Sequence, residues 1–238
     1  MDVKQIGETL STYIRPQSFP VALKLCQSES EIPEKVRMPM RDLGYQIALC
    51  QAIGISRRYG WAMAIGNEDQ CCLGGAITMG FTAEPPEGGF MQAPPEKKLE
   101  KGKYSYLLMA PVDTARFEPD IVVVYGNSAQ IYRLVMSVSM TTGTDVSANA
   151  SGAADCGDIV ARTFLSNTCQ FILPSGGDRV FGGTQDHEVI FTIPIDKVDV
   201  VLKALEDTHK AGFSRYPILV DLRHSPMLPP MMKIPQSA

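Results

Sequence analysis

The sequence is short of the residues and spacings on which most catalytic motifs are built. Only three histidines, His187, His209 and His224, occur in 238 residues, so a Cys–His catalytic pair has few imidazoles to draw on. There is no Cys-x-x-Cys, which leaves out the common zinc-ribbon spacing and the thioredoxin-type redox pair. There is no Gly-x-x-x-x-Gly-Lys-Ser/Thr and no Gly-x-Gly-x-x-Gly, so neither a Walker loop nor a dinucleotide fingerprint is present. No apolar run approaches the roughly 20 residues that span a bilayer. The opening MDVKQIGETLSTYIRP lacks the charged head, apolar run and small-residue cleavage site of a secretory signal. A cytoplasmic protein with no membrane partner is therefore expected. A concentrated basic face is also missing: the net charge is −4 and the pI is near 5.4, which argues against a nucleic-acid partner. Lys97, Lys98, Lys101 and Lys103 are diluted by Glu96 and Glu100 and read as a solvated loop.

What is present is the composition of a soluble globular chain, 45% apolar and 20% charged. A single domain over 1–238 would bury roughly 70–75% of the surface of its unfolded chain, enough for an ordinary core. Six cysteines, Cys26, Cys50, Cys71, Cys72, Cys156 and Cys169, do not imply a disulfide scaffold in a cytoplasmic chain of this length. They are buried thiols, metal ligands or reactive groups.

Patterning predicts a mixed α/β (α+β) fold. Val3, Ile6, Leu10, Tyr13 and Ile14 recur at helical spacing before Pro16. Phe19–Cys26 reads as a strand, about 41–59 as a long helix stopped by Gly60, and Trp61–Ile65 as a second strand. The Pro-, Gly- and charge-rich stretch 83–103 reads as a mobile insertion, with Phe90 and Met91 placed to cover a pocket. Beyond it come strands at Tyr104–Met109 and Asp120–Tyr125, then a helix capped at Asn127-Ser128. A helix containing Cys156, a strand at Gln170–Leu173, a strand at Glu188–Ile193 and a helix at Val198–Lys210 with Asp196 as its cap complete the pattern. The tail that follows is Pro- and Met-rich. With Cys71 and the single Trp61 it admits a homo-oligomer without requiring one.

Each half, about 17–82 and 104–195, carries a strand, a cysteine-bearing helix, a further strand and a pair of consecutive glycines. A duplicated strand–helix–strand unit follows. It would set Cys50 near Cys156 across a pseudo-twofold axis, with the two glycine turns facing one shared cleft.

The ordered segments PVALKL, CQAIGISRRYG, EDQCCLGG, FEPDIVVVYGNSAQIYRL, GGDRVF and EVIFTIP resemble the prokaryotic family known as domain of unknown function 169. The resemblance runs from about Phe19 to Pro217. It implies a single unit, found widely in anaerobic bacteria and archaea, and supplies no substrate. It implies cysteines at positions matching Cys50, Cys72 and Cys156, and a further one where this chain has Ser175. A four-thiolate cluster would then need Cys71, Cys169 or a ligand other than cysteine.

Three chemistries remain open from the residues. Cys50, Cys72 and Cys156 could converge on an iron–sulfur cluster or another thiolate-bound metal, with an associated redox role; packed in a core, the same thiols would be inert. Cys156, at the start of its helix, could be a nucleophile, although Asp155 and Asp158 oppose a thiolate there. Ser175, Gly176 and Gly177 with Arg179, and separately Asn127 with Gln130, could bind a small anionic ligand such as a metabolite or nucleotide through backbone N–H groups and a guanidinium fork. Ordinary tight turns, with Arg179 bridging to Asp178 or Glu188, explain the same residues.

Overall fold

Alternation along the strands decides the layering. In β1 (Val21–Cys26), Val21, Leu23 and Leu25 enter one core while Ala22 enters another. In β4 (Ile121–Gly126), Ile121, Val123 and Tyr125 go with the first set, and Val122 and Val124 with the second. A strand buried on both faces needs this two-sided apolar pattern. The computed structural model describes residues 2–83, 94–148 and 152–215, together with 228 and 233. Phe90, Met91 and most of the Pro- and Met-rich tail lie outside the described residues.

The other strands are β2 (Met63–Gly66), β3 (Tyr106–Pro111), β5 (Gln170–Ile172) and β6 (Val189–Pro194). All six form one antiparallel sheet in the order β2-β3-β1-β4-β6-β5. On one face lie α1 (Val3–Tyr13), α4 (Ser128–Thr142) and α7 (Ile195–Lys210), packing Leu10, Leu134 and Leu202 onto Val122, Val124 and Phe191. On the other lie α2 (Leu49–Tyr59) and a second helical segment. That segment starts at Asp155, is π-helical over Gly157–Arg162 and ends as α5 (Thr163–Ser166). Two short helices, α3 (Leu73–Thr78) and α6 (Gly176–Val180), complete this layer.

A duplication is visible as topology, with bounds other than those expected, since β3 lies in the stretch assigned to the second half yet pairs with β1 and β2 of the first. In each half the first strand pairs with the third and the third with the second: β1-β3-β2 in one, β4-β6-β5 in the other. The halves meet where β1 and β4 pair antiparallel, Val21 with Val123, Ala22 with Val122 and Leu23 with Ile121. Correspondence then matches α2 with the Asp155–Ser166 segment, and α3 with α6.

Several expectations shift. The long helix over 41–59 is broken. Pro39–Leu43 is a π-turn ended by Gly44 at φ +79°, Ile47 bridges to Gln70, and α2 begins only at Leu49. Glycine at a left-handed position stops a helix as surely as an apolar stripe starts one. Cys50 consequently lies in the first turn of α2 rather than midway along a helix. The glycine pairs are not open turns, since Gly74-Gly75 and Gly176-Gly177 are wound into the first turns of α3 and α6. Helix α7 starts at Ile195, so Asp196 sits in its first turn instead of capping it. Lys97 is buried and paired with Asp158 at 2.8 Å, so the root of the insertion is an internal strut and not a solvated loop.

Gly54 shows how tightly the halves dock. A Cβ there would stand 2.4 Å from the Gly182 carbonyl oxygen, so α2 of one half lies directly on backbone of the other. Gly54→Ala is expected to cost about 1–3 kcal/mol through forced separation of these elements. Gly176→Ala, where an added Cβ meets nothing within 4 Å, should be nearly neutral. Paired denaturant titrations measure both.

Candidate functional site

The fold brings together, on the α2 side of the sheet, three of the six cysteines from distant segments. Cys50 stands in the first turn of α2, Cys72 is the N-cap of α3, and Cys156 directly precedes the π-helical turns. Each lies within electrostatic reach of the others: Cys156 and Cys72 bear on the Cys50 thiol, and Cys72 bears on that of Cys156. The remaining thiols sit elsewhere. Cys26 is in a small cluster with Val36 and Met38, Cys169 is in the core on the opposite face of the sheet, and Cys71 is exposed. Correspondence between the halves matches Cys50 with Cys156 and Cys72 with Ser175, the N-cap of α6.

Two carboxyls share the site. Asp155 accepts from the Ser175 amide at 3.0 Å and from its hydroxyl at 2.8 Å. Asp178 accepts from Thr184 Oγ1 at 2.7 Å through one oxygen, while the other, Oδ1, is buried without a donor among the described residues. That oxygen is explained by protonation. Burial, then the charge of Asp155, raise the Asp178 carboxyl to about 7, and a hydrogen bond to Asp155 lies in the same direction. A neighbouring like charge and burial both disfavour the ionised form of the Asp178 carboxyl. The Tyr125 hydroxyl, also buried and without a partner, is pushed well above its ordinary value by burial and then by Asp178 and Asp155.

The Cys50 and Cys156 thiols are neutral in this environment. Burial, followed by the charge of Asp178, raises Cys50 far above its usual range; burial, followed by Asp155, pushes Cys156 up to about 12. Thr78 Oγ1, 3.7 Å from the Cys156 sulfur, offsets this only in part. A nucleophilic cysteine needs the opposite shift. His187 contacts Gln17, and His209 packs edge-on against Tyr13 in the opposite helical layer, while His224 lies outside the described residues.

Cations flank the site without entering it. Arg57 is fully buried and donates to Glu188 at 2.8 Å and to Thr184 at 2.9 Å, with its guanidinium 4.0 Å above the Tyr125 ring. Arg58 joins Glu188 at 2.9 Å. Burial alone would raise Glu188, but the Arg57 hydrogen bonds and the Gln185 amide outweigh it and hold the carboxylate low. On the other side Asp158, two residues beyond Cys156, takes Lys97 and Arg162, each at 2.8 Å.

The residues expected to bind an anion are otherwise engaged. Ser175 serves Asp155, and Arg179 donates to the Gln185 carbonyl at 3.2 Å and pairs with Asp186 at 3.5 Å, rather than with Asp178 or Glu188. Asn127 and Gln130 form a reciprocal capping box at α4, and the Gln130 amide also reaches the Arg15 carbonyl at 2.6 Å. They belong to the layer opposite the thiols. Sequence reasoning did not single out Asp155, Asp178 or Tyr125 as site residues. The carboxylates were legible only as neighbours of Cys156 and Arg179, and Tyr125 read as strand core.

The family model for DUF169, the uncharacterised ArCR proteins, matches residues 9–204. The chain belongs to this family. It is also 27% identical over 228 residues to the uncharacterized protein MJ0308 of Methanocaldococcus jannaschii, covering 87% of this chain and 96% of that one. No solved structure matches it. Among the described residues, no helix of this DUF169 chain is long and apolar enough to cross a membrane. Among them, too, no group of three or more histidine, cysteine, aspartate or glutamate side chains is arranged to hold a metal ion as it stands.

The Asp178 proton gives a signed pH dependence. Because the folded state holds the Asp178 proton up to about 7, while an unfolded aspartate releases it near 3.9, the native state carries the extra proton between those values and stability falls as pH rises through them. Asp178→Asn mimics the protonated acid. It is expected to raise Tm by roughly 3–6 °C at pH 8, about 1–2 kcal/mol for a chain of this size, and by little at pH 4. Thermal unfolding across that pH range measures it.

Proposed function

We propose that this protein is a cysteine-dependent metal or iron–sulfur binding protein with a redox role, holding its centre through Cys50, Cys72 and Cys156. The observation that supports the reading is that three thiols from separate segments lie on one side of the sheet within electrostatic reach of one another, with Asp155 and Asp178 also acting on Cys50. The donor set fits a soft or borderline metal, since thiolates select zinc, cuprous copper and iron–sulfur clusters. The Tyr125 hydroxyl, buried without a hydrogen-bond partner among the described residues, lies near the same carboxyls.

Binding would require Cys50 and Cys156 to lose their protons and the three thiols to draw together, because those two are neutral and no ready ligand set is formed among the described residues. A metal lowers the pKa of a coordinating thiol outright, so the raised values describe the metal-free protein. Cys72, half-buried as the N-cap of α3 after the exposed Cys71, is the ligand with most room to move. Ser175 holds the place that corresponds to Cys72 and orients Asp155 beside Cys156. A bound iron–sulfur centre would supply one-electron transfer.

The second reading, a small anionic ligand at Ser175–Arg179 beside structural cysteines, has less behind it. The Ser175 donors face Asp155, and two carboxyls lie on that side of α6.

Protein purified without oxygen should carry metal, with thiolate-to-metal absorption. Single Cys50→Ser, Cys72→Ser and Cys156→Ser variants should lose it, while Cys26→Ser and Cys169→Ser keep it. Loading should weaken as pH falls, since protons compete for the thiolates. Metal and sulfide analysis that finds neither, in the wild-type protein reconstituted with iron and sulfide or with zinc, overturns the proposal.

A further inference from the structure

A second locus, independent of the thiols, lies where the turn before Cys71 meets the entry to β3. Here a cavity of about 420 Å³ is lined by Phe81, Tyr104 and Tyr106, with Asn67, Glu68 and Lys101 among its polar groups. Its size falls within the range of small-molecule sites, which run from about 300 to 1,000 Å³.

The aromatic wall is built by the sheet. Tyr106 pairs with Gly66 across β2 and β3, and its ring covers the glycine so closely that a Cβ there would stand 2.7 Å from Cε1. Any side chain at position 66 would displace the ring. Tyr104 is braced edge-on by Phe164, with ring centroids 5.9 Å apart. Both rings are thus set by the fold before any ligand arrives.

The charge acting on Tyr106 is acidic. Burial and then Glu29, Glu68 and Asp69 raise the Tyr106 phenol. Of the nearby lysines, Lys103 is paired with Glu100 at 3.8 Å and already has its ammonium 5.8 Å from the Tyr104 ring centre. The protein's own cation thus already approaches the Tyr104 ring. Lys101 at the cavity and Lys103 oppose a second cation, and Glu68 favours one.

We propose that this cavity binds a small organic cation of the alkylammonium class, seated against Phe81, Tyr104 and Tyr106 with Glu68 as its counter-charge. Aromatic faces attract quaternary and alkylated ammonium groups through the ring quadrupole, and the attraction grows as the cation is desolvated. A neutral molecule of the same shape gains none of this term. The charge requirement separates the proposal from simple filling of an apolar hollow.

The experiment is calorimetric titration of the full-length protein with tetramethylammonium, with choline, and with 3,3-dimethylbutan-1-ol, the neutral isostere of choline. Saturable binding of at least one cation, with no binding of the isostere, is expected. Glu68→Gln and Phe81→Leu should each weaken cation binding by roughly three- to tenfold, and Lys101→Gln should strengthen it. A wild-type protein that binds neither cation overturns the proposal. So does equal binding of the isostere, or an unchanged affinity in Glu68→Gln.

Discussion

The structure depends on one short seam. β1 and β4 pair antiparallel over Val21–Leu23 and Ile121–Val123, and everything that distinguishes this fold from two separate three-stranded units follows from that contact. Antiparallel pairing of equivalent strands relates the halves by an approximate twofold axis through the sheet. Elements near the axis are forced into proximity, and elements far from it are not. The seam is reinforced off the sheet by Gly54 lying on Gly182 and by Arg57 of α2 reaching Glu188 before β6. Removing one partner of such a buried pair costs about 3–5 kcal/mol, because the other charge is left without compensation.

Proximity to the axis decides which polar groups become interesting. Cys50 and Cys156 occupy corresponding helix starts, and Cys72 and Ser175 occupy the next pair. Around them the balance of charge is uneven. Two carboxyls lie among the thiols, while Arg57, Arg58, Lys97 and Arg162 are each held by Glu188 or Asp158 at the margins. The interior responds by retaining protons on Cys50, Cys156 and Asp178. A positively charged guest is the kind of occupant that would reverse this.

Much of the architecture was legible because it is written in local periodicity. The strand at Ile121–Tyr125, the helix cap at Asn127 and the apolar stripe of α7 each follow from neighbours in sequence, whereas Gln130, read as a ligand contact, is part of that cap. The duplication was readable from order alone, since both halves place a cysteine on a helix and a glycine pair after the next strand. Misreadings came where tertiary contacts overrode local pattern. Residues 41–59 carry a helical stripe, yet Gly44 and the Ile47–Gln70 bridge break it. Lys97 sits in a charged, solvent-like segment, yet Asp158 draws it inside. The Asp178 proton could not be read from the sequence, because it arises from burial beside Asp155, 23 positions earlier in the chain.

The Lys97–Asp158 pair carries a mechanical implication. Asp158 follows Cys156 by two residues and also grips Arg162, which reaches Glu96. The Leu99 amide meanwhile bonds the carbonyl of Thr78, whose hydroxyl touches the Cys156 sulfur. Residues 96–99 are therefore wedged between the helices bearing Cys72 and Cys156, like a shim between two jaws. Those jaws cannot shift against each other without dragging the backbone at Lys97–Leu99.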